Sequence, residues 1–238
     1  GQIYEWRYGM PEQGLNFEAP PPDTHYVDIS IHPSETYAAV RSDGQMVIKR
    51  PFNIHNPIPI TLQPFPPPAP GRGYVRVWAR GLDAFALQDD GLLVHGDLSA
   101  YAPQQSMPPE LVGKPVKELA LGASHGLALL EDRTIVVFGD NSRGQHNVSD
   151  THIPQWSQIA ACGDNSFALT TTGQVYAWAP DLQLNGAIPT TSGTPYVRIS
   201  CSRSCLAVLR ADGQIDSWGG SDRRIDRIPP MPAGSGFT

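Results

Sequence analysis

The sequence predicts an all-β fold: a β-propeller of about six blades, with seven admitted, each blade a short antiparallel sheet. Three observations lead there. One strand–turn–strand–turn–strand pattern recurs along the 238 residues, with its tight turns at Gly44, Gly91, Arg133, Gly173 and Gly213, 47, 42, 40 and 40 residues apart. The chain holds 23 Gly and 24 Pro, about 20% of the total against a usual share near 12%, which disfavours long helices and favours many short strands. Hydrophobic residues make up 40%, enough for a packed core. A period of 40–47 residues with several strands per copy is the propeller signature, because one small sheet with two apolar faces buries them only by stacking against its neighbours.

The copies follow in order. GQIYEW at residues 1–6 matches the third-strand segments GQVYAW and GQIDSW, so the chain opens inside a repeat. Fuller copies span 27–50, 75–96, 116–139, 156–179 and 197–219, each with two apolar strands, an Ala-Leu-like end to the second, and a third strand ending near an aromatic residue. One propeller domain over 1–238 is expected, with repeats near 1–26 (partial), 27–74, 75–115, 116–155, 156–196 and 197–238 (partial). Asp43-Gly44, Asp90-Gly91 and Asp212-Gly213 predict two-residue hairpin turns with positive φ at both central positions. Arg133 stands where the others have Gly, so a looser or strained turn is expected there. Between copies run Pro-rich segments, 51–73 and 102–115, which lack backbone donors and belong at edges or on the surface. PFPPPAP at 64–70 reads as a stiff connector, with a polyproline ligand as the alternative.

Net charge is −6, and 14 Arg stand beside only three Lys (Lys49, Lys114, Lys117). That balance lacks the basic footprint of a duplex-DNA binder, so no nucleic-acid partner is expected. No apolar run approaches the roughly 18 residues of a membrane span. No signal peptide is visible, and a soluble protein is expected, cytoplasmic, nuclear or secreted. Three cysteines form no disulfide framework and no zinc set. They read as small buried thiols, with a Cys162–Cys201 or Cys162–Cys205 bridge between neighbouring repeats as the alternative for a secreted chain. Asn147-Val-Ser149 is a lone glycosylation sequon. Nucleophile elbows, Walker loops, dinucleotide fingerprints and His-x-His pairs are missing from the sequence, so no enzyme and no cofactor or metal is expected. The Asp140–Gly144 oxygen cluster lacks the alternation of a calcium loop and reads as turn hydrogen bonding.

The third copy reads LGASHGLALLEDRTIVVFGDNSRGQ. Its Gly122, His125, Ala128, Leu129, Gly139, Asn141, Gly144 and Gln145 resemble the repeat of the regulator of chromosome condensation family, at the family's spacing. The other copies keep the Ala-Leu, the turn and the aromatic strand but lose the Asn-x-x-Gly-Gln tail. The resemblance implies a β-propeller, with a repeat length closer to the β-lactamase inhibitor protein II branch. It also implies a binding surface: family members include a guanine nucleotide exchange factor, an enzyme inhibitor and ultraviolet sensors that stack Trp. Here Trp6, Trp78, Trp156, Trp178 and Trp218 are spread over first- and third-strand positions and read as blade packing.

A binding face is expected where the first-to-second strand turns gather: His32–Thr36, Ala79–Asp83, Gly122–Ser124, Cys162–Ser166 and Ser202–Ser204. The candidate partner-binding residues are His32, Trp78, Arg80, Asp83, His125, Asp164, Asn165 and Arg203, varied side chains on a repeated frame. His125 also suits a hydrogen bond to neighbouring backbone. The expected function is a non-enzymatic scaffold that binds another protein through one face. A carbohydrate-binding propeller and an exchange factor for a small GTPase are the alternatives, a glycan is the second class of partner, and an open blade edge admits a homodimer.

Overall fold

A computed structural model describes residues 19–32, 36–49, 65–80, 83–97, 107–147, 155–179, 184–188, 193–202 and 205–219. The expected partial repeats at the two ends fall on 1–18 and 220–238, outside the described residues. The chain divides into two compact units, Gly1–Pro115 and Val116–Thr238. The division falls on an expected repeat boundary.

The first unit holds two antiparallel sheets. One is β1 (Tyr26–His32), β2 (Thr36–Arg41) and β3 (Met46–Lys49); the other is β4 (Tyr74–Arg80), β5 (Asp83–Gln88) and β6 (Leu93–Asp97). The second unit holds three: β7 (Val116–Leu121), β8 (His125–Leu130) and β9 (Ile135–Gly139); β10 (Trp156–Cys162), β11 (Asn165–Thr170), β12 (Val175–Ala179) and β13 (Leu184–Ile188); and β14 (Tyr196–Ser202), β15 (Cys205–Arg210) and β16 (Ile215–Gly219). Strands run in sequence order in every sheet, so each sheet is a local meander. The fold is an all-β propeller architecture. The one helical element among the described residues is a 3-10 turn, Pro109–Leu111, and no helix there is long and apolar enough to cross a membrane.

The hairpin turns differ from the expectation. In all five, the residue at the Gly position donates its N–H to the carbonyl three residues back, as Gly44 does to Arg41 at 2.9 Å. Only that residue has positive φ: 77° at Gly44, 82° at Gly91, 67° at Arg133, 83° at Gly173 and 81° at Gly213. These are therefore three-residue loops, a type I turn closed by a left-handed residue, not two-residue turns. Asp supplies something else. Its carboxylate accepts the N–H two residues on, at 3.1 Å from Gln45 to Asp43, 3.0 Å from Leu92 to Asp90, 2.9 Å from Thr134 to Asp132 and 3.0 Å from Gln214 to Asp212. Arg133 adopts the same turn as the glycines rather than a looser one.

A second regularity was invisible in the alternation of the sequence. Every first strand carries a register shift one residue in, at Tyr26/Asp28, Tyr74/Arg76, Val116/Glu118, Trp156/Gln158 and Tyr196/Arg198. The bulge places two outward residues side by side and then resets the pattern, which gives Tyr74 and Val77 buried with Val75 and Arg76 exposed between them.

Stacked sheets are fastened in two ways. Apolar side chains interdigitate: Val40, Tyr74, Val77 and Ala86 in the first unit, and Phe167, Leu169, Val175, Tyr196, Ile199 and Val208 in the second. Polar side chains also reach from one first strand to the backbone of the next. Asp28 Oδ2 accepts the Val77 N–H at 2.8 Å, Glu118 Oε2 accepts the Ile159 N–H at 3.4 Å, and Gln158 takes both the N–H and the carbonyl of Ile199 at 2.8 and 3.2 Å. The turn carbonyls of Gly44, Arg133 and Gly173 accept the first N–H of the following strand, from Tyr74, Trp156 and Tyr196. Of the Pro-rich 64–70 segment, residues 65–70 are pinned to their sheet: the Tyr74 hydroxyl donates to the Pro66 carbonyl at 2.7 Å, and the Ala69 N–H donates to Gln88 Oε1 at 2.7 Å. Burial pushes that Tyr74 hydroxyl up to about 12.

Candidate protein-binding face

The turn joining first to second strands is the most varied part of each copy, and the structure shows what holds it. In the β7–β8 turn the Gly122 N–H donates to the His125 carbonyl at 2.9 Å, and the Ala123 N–H crosses to the Gly163 carbonyl of the next turn at 2.7 Å. His125 is fully buried, and its Nε2 lies 2.9 Å from Ser166 Oγ. The Ser166 hydroxyl donates to the Gln145 carbonyl at 3.0 Å, so Nε2 carries the proton in this network. Gln145 is fully buried too. Its side-chain oxygen accepts the Arg143 N–H at 2.9 Å, and its amide donates to Asp140 Oδ2 at 3.4 Å. The family-like residues of the third copy thus form a latch between one repeat and the next. A Cβ on Gly122 would lie 2.6 Å from His125 Nδ1 and 2.8 Å from the Gly163 carbonyl oxygen, which accounts for glycine three residues before the histidine.

The latch presents a loop at its surface. Asp140 accepts the N–H and hydroxyl of Ser142 at 3.0 and 2.7 Å, and these bonds hold its carboxyl below the usual range. That matches the reading of this loop as turn hydrogen bonding. Arg143 is exposed and reaches Asp164 Oδ2 at 3.3 Å across the turns. In the first unit a second charged cluster closes the β4–β5 end: Arg80 lies 3.1 Å from Asp83 Oδ2, and His95 Nε2 lies 3.5 Å from Asp83 Oδ1. Burial pushes the Asp83 carboxyl up, but hydrogen bonds from His95 and Arg80 outweigh it and leave the group below the usual aspartate value. Phe85 backs the His95 ring at 4.5 Å between centroids.

The eight expected partner-binding residues therefore divide. Arg80, Asp83 and Asp164 lie at turn ends, partly exposed and ion-paired. Trp78 is half-buried in β4, paired with Phe85, with the Arg76 guanidinium 5.1 Å from its ring. His32 ends β1 opposite Thr36. His125 and Asn165 are corrected: both are fully buried, so neither is available to a partner, and His125 binds a neighbouring serine hydroxyl rather than backbone. Arg203 lies outside the described residues. Missed from the sequence were Arg143, whose ion pair depends on a turn one repeat away, and His95, whose aspartate partner sits on the adjacent strand.

Of the two readings of the cysteines, the bridge holds for one pair. Cys162 and Cys201 form a disulfide that ties the end of β10 to β14, while Cys205 is a buried free thiol whose pKa burial raises. Among the described residues no group of three or more His, Cys, Asp or Glu is arranged to hold a metal.

Comparisons with known proteins agree with this architecture. A model of the regulator of chromosome condensation (RCC1) repeat matches residues 116–145, which hold β7–β9 and Gly122, His125 and Gln145 of the latch. The probable E3 ubiquitin-protein ligase HERC6 of Homo sapiens is 28% identical over 191 residues, covering 68% of this chain and 18% of the relative, so the chain spans under a fifth of that protein's length. Among solved structures, human WBSCR16 superposes with a TM-score of 0.66 at 15% identity, covering 87% of this chain and 65% of the other. Prp20p from Saccharomyces cerevisiae gives 0.62 at 15% identity, with 83% and 59% covered. At such identities these likenesses establish the fold.

Proposed function

We propose that this chain, an RCC1-like β-propeller, is a non-catalytic module that captures another protein on the first-to-second strand turns. The observation that carries the reading is a constant frame with changing tips. The same bulged strand and the same inter-sheet fastenings recur, while the turns carry Arg80–Asp83 in one place and, in another, Asp164 paired with Arg143 of the loop after β9. Pre-paired side chains lose little freedom on contact, which favours ordered, specific docking. Prp20p supports the reading by likeness, since its structures concern binding to Gsp1p and histones and a complex with Kap60. An exchange factor for a small GTPase is the enzyme-regulating form of the same idea, and nucleotide release from a GTPase panel tests it.

The direct test is cross-linking of the chain to its captured partner, read by mass spectrometry. Cross-links should concentrate at 80–83, 140–144 and 163–164, and Arg80→Ala or Asp164→Ala should weaken capture about tenfold, on the scale of a single well-placed contact. Cross-links spread evenly over the surface, with both variants binding normally, would sink the proposal.

A further inference from the structure

The proline-rich stretch 65–70 is held by its own sheet yet turned outward from it. Phe65, Pro66, Pro67 and Ala69 each precede a proline, which confines them to extended or polyproline II backbone, and proline itself fixes φ near −65°. No peptide bond among the described residues is cis, so the run is the all-trans form, a left-handed helix with three residues per turn. Exposure follows that period. Phe65 and Pro68 are half-buried, whereas Pro66 and Pro67, then Ala69 and Pro70, are exposed. One edge of this three-sided rod therefore lies on the protein, and the exposed residues form two Xaa-Pro pairs one turn apart.

The anchors leave those pairs free. The Tyr74 hydroxyl and Gln88 hold backbone groups only, the Pro66 carbonyl and the Ala69 N–H. The Phe65 ring meets Tyr74 edge-on at 5.6 Å between centroids and covers Gly96, where a Cβ would fall 2.5 Å from it. Past Pro70 the run ends in a tight turn, with Gly71 at φ 77° and the Arg72 N–H donating to the Ala69 carbonyl at 2.9 Å. The other prolines among the described residues lack this arrangement. Pro20–Pro22 have no proline three residues on and bend into a turn at Asp23, φ 64°, while Pro108 and Pro109 lead into the 3-10 turn. Pro115 and Pro195 stand singly.

A ridge of two Xaa-Pro pairs fits a groove lined by aromatic rings with one pocket for each pair, and a ridge already fixed in shape loses little freedom on docking. The local chemistry selects among such grooves. A WW-type groove takes one pair and an aromatic side chain beyond it, but Tyr74 is buried. A groove that reads Phe-Pro-Pro-Pro through its ring finds Phe65 packed on the sheet. Arg72 lies 3.4 Å from Asp89 and 3.5 Å from Asp90, so apolar fit rather than net positive charge must carry the contact. We infer that residues 66–70 dock into the two-pocket, aromatic-lined groove of an SH3-type domain in a partner protein. The ridge precedes β4, at the end of that strand remote from Arg80, so it is separate from the first-to-second strand turns, and substitutions at Arg80 and Asp164 leave it untouched.

The test is capture of the intact, labelled chain on an array of purified SH3 domains, with WW domains beside them, followed by titration of each hit. At least one SH3 domain should bind. Pro67→Ala and Pro70→Ala should each weaken it about tenfold, while Pro68→Ala, on the inward edge, should leave it unchanged. A second Pro-x-x-Pro, Pro229 to Pro232, lies outside the described residues, and Pro229→Ala with Pro232→Ala should also leave binding unchanged. A peptide of residues 64–72 should compete for the same groove but bind more weakly than the chain. Melting midpoints equal to the parent's show that the variants fold, and the peptide competition decides where they do not. Capture by no SH3 domain, hits among WW domains alone, binding unchanged by Pro67→Ala and Pro70→Ala, or loss through the Pro229 and Pro232 variants overturns the inference. So does binding of the peptide without the chain, which would mean that the folded protein hides the ridge. A dimer in sedimentation that is lost in Pro67→Ala overturns it in favour of a second copy.

Discussion

Gly122 and His125 show how tightly single residues are constrained here. The ring fills the space a β-carbon would need, and the same glycine lies against the carbonyl of the neighbouring repeat. Neither neighbour is the free end of a flexible chain, so relief must come from shifting the turn. Gly122→Ala should cost about 1–3 kcal/mol, the range for overpacking a filled site. Denaturant unfolding monitored by Trp fluorescence measures it, and a variant as stable as the parent would show that the latch yields freely. Asp83 makes a pH prediction. Its folded value lies below the ordinary one, so the stability it contributes is present above the unfolded aspartate value near 4 and is lost as pH falls through the folded value. Asp83→Asn should therefore flatten the acid limb of a stability–pH curve while leaving its neutral-pH slope alone. An unchanged acid limb would place the acid sensitivity elsewhere.

At the scale of the element, the hairpin turn accounts for much of what the sequence revealed and for one error. Asp-Gly correctly marked the turns, but the same dipeptide serves two-residue and three-residue loops. The difference lies in which residue takes positive φ, and only Gly does. Arg133 is the test of that geometry. It holds φ at 67° in a loop otherwise like the rest, at a cost near 1–2 kcal/mol for a side chain in the left-handed region, partly offset by the stiffer unfolded chain. Arg133→Gly should raise stability by up to about 1 kcal/mol, and a fall would mean that the arginine side chain contributes more than its backbone costs. The strands and their order within each sheet were legible because they depend on local apolar runs and turn residues. The bulge after the first residue was not, since Val27, Val75 and Val197 look like ordinary strand residues until a partner strand sets the register. The buried position of His125 was also hidden. It follows from Ser166 and Gln145, one lying 41 residues ahead and the other on a loop, and no local pattern joins the three.

At the scale of the molecule, each compact unit has its own apolar core, but only the second has a covalent tie among the described residues. The Cys162–Cys201 bridge closes a loop with a sequence separation of 39 between two sheets of that unit. Loop-closure entropy for such a span gives about 4 kcal/mol as the model value, and measured bridges commonly give about 2–4 kcal/mol. Reduction should therefore act unevenly. Hydrogen exchange before and after treatment with a dithiol should show lost protection in β10, β11, β14 and β15, with β2, β4 and β5 little changed, because their packing partners lie within the first unit. Alkylation of the denatured chain and mass measurement supply the control: one free thiol before reduction and three after. If protection fell equally in both units, they would unfold as one cooperative body, and the bridge would stabilise the whole propeller rather than the stack of sheets it joins.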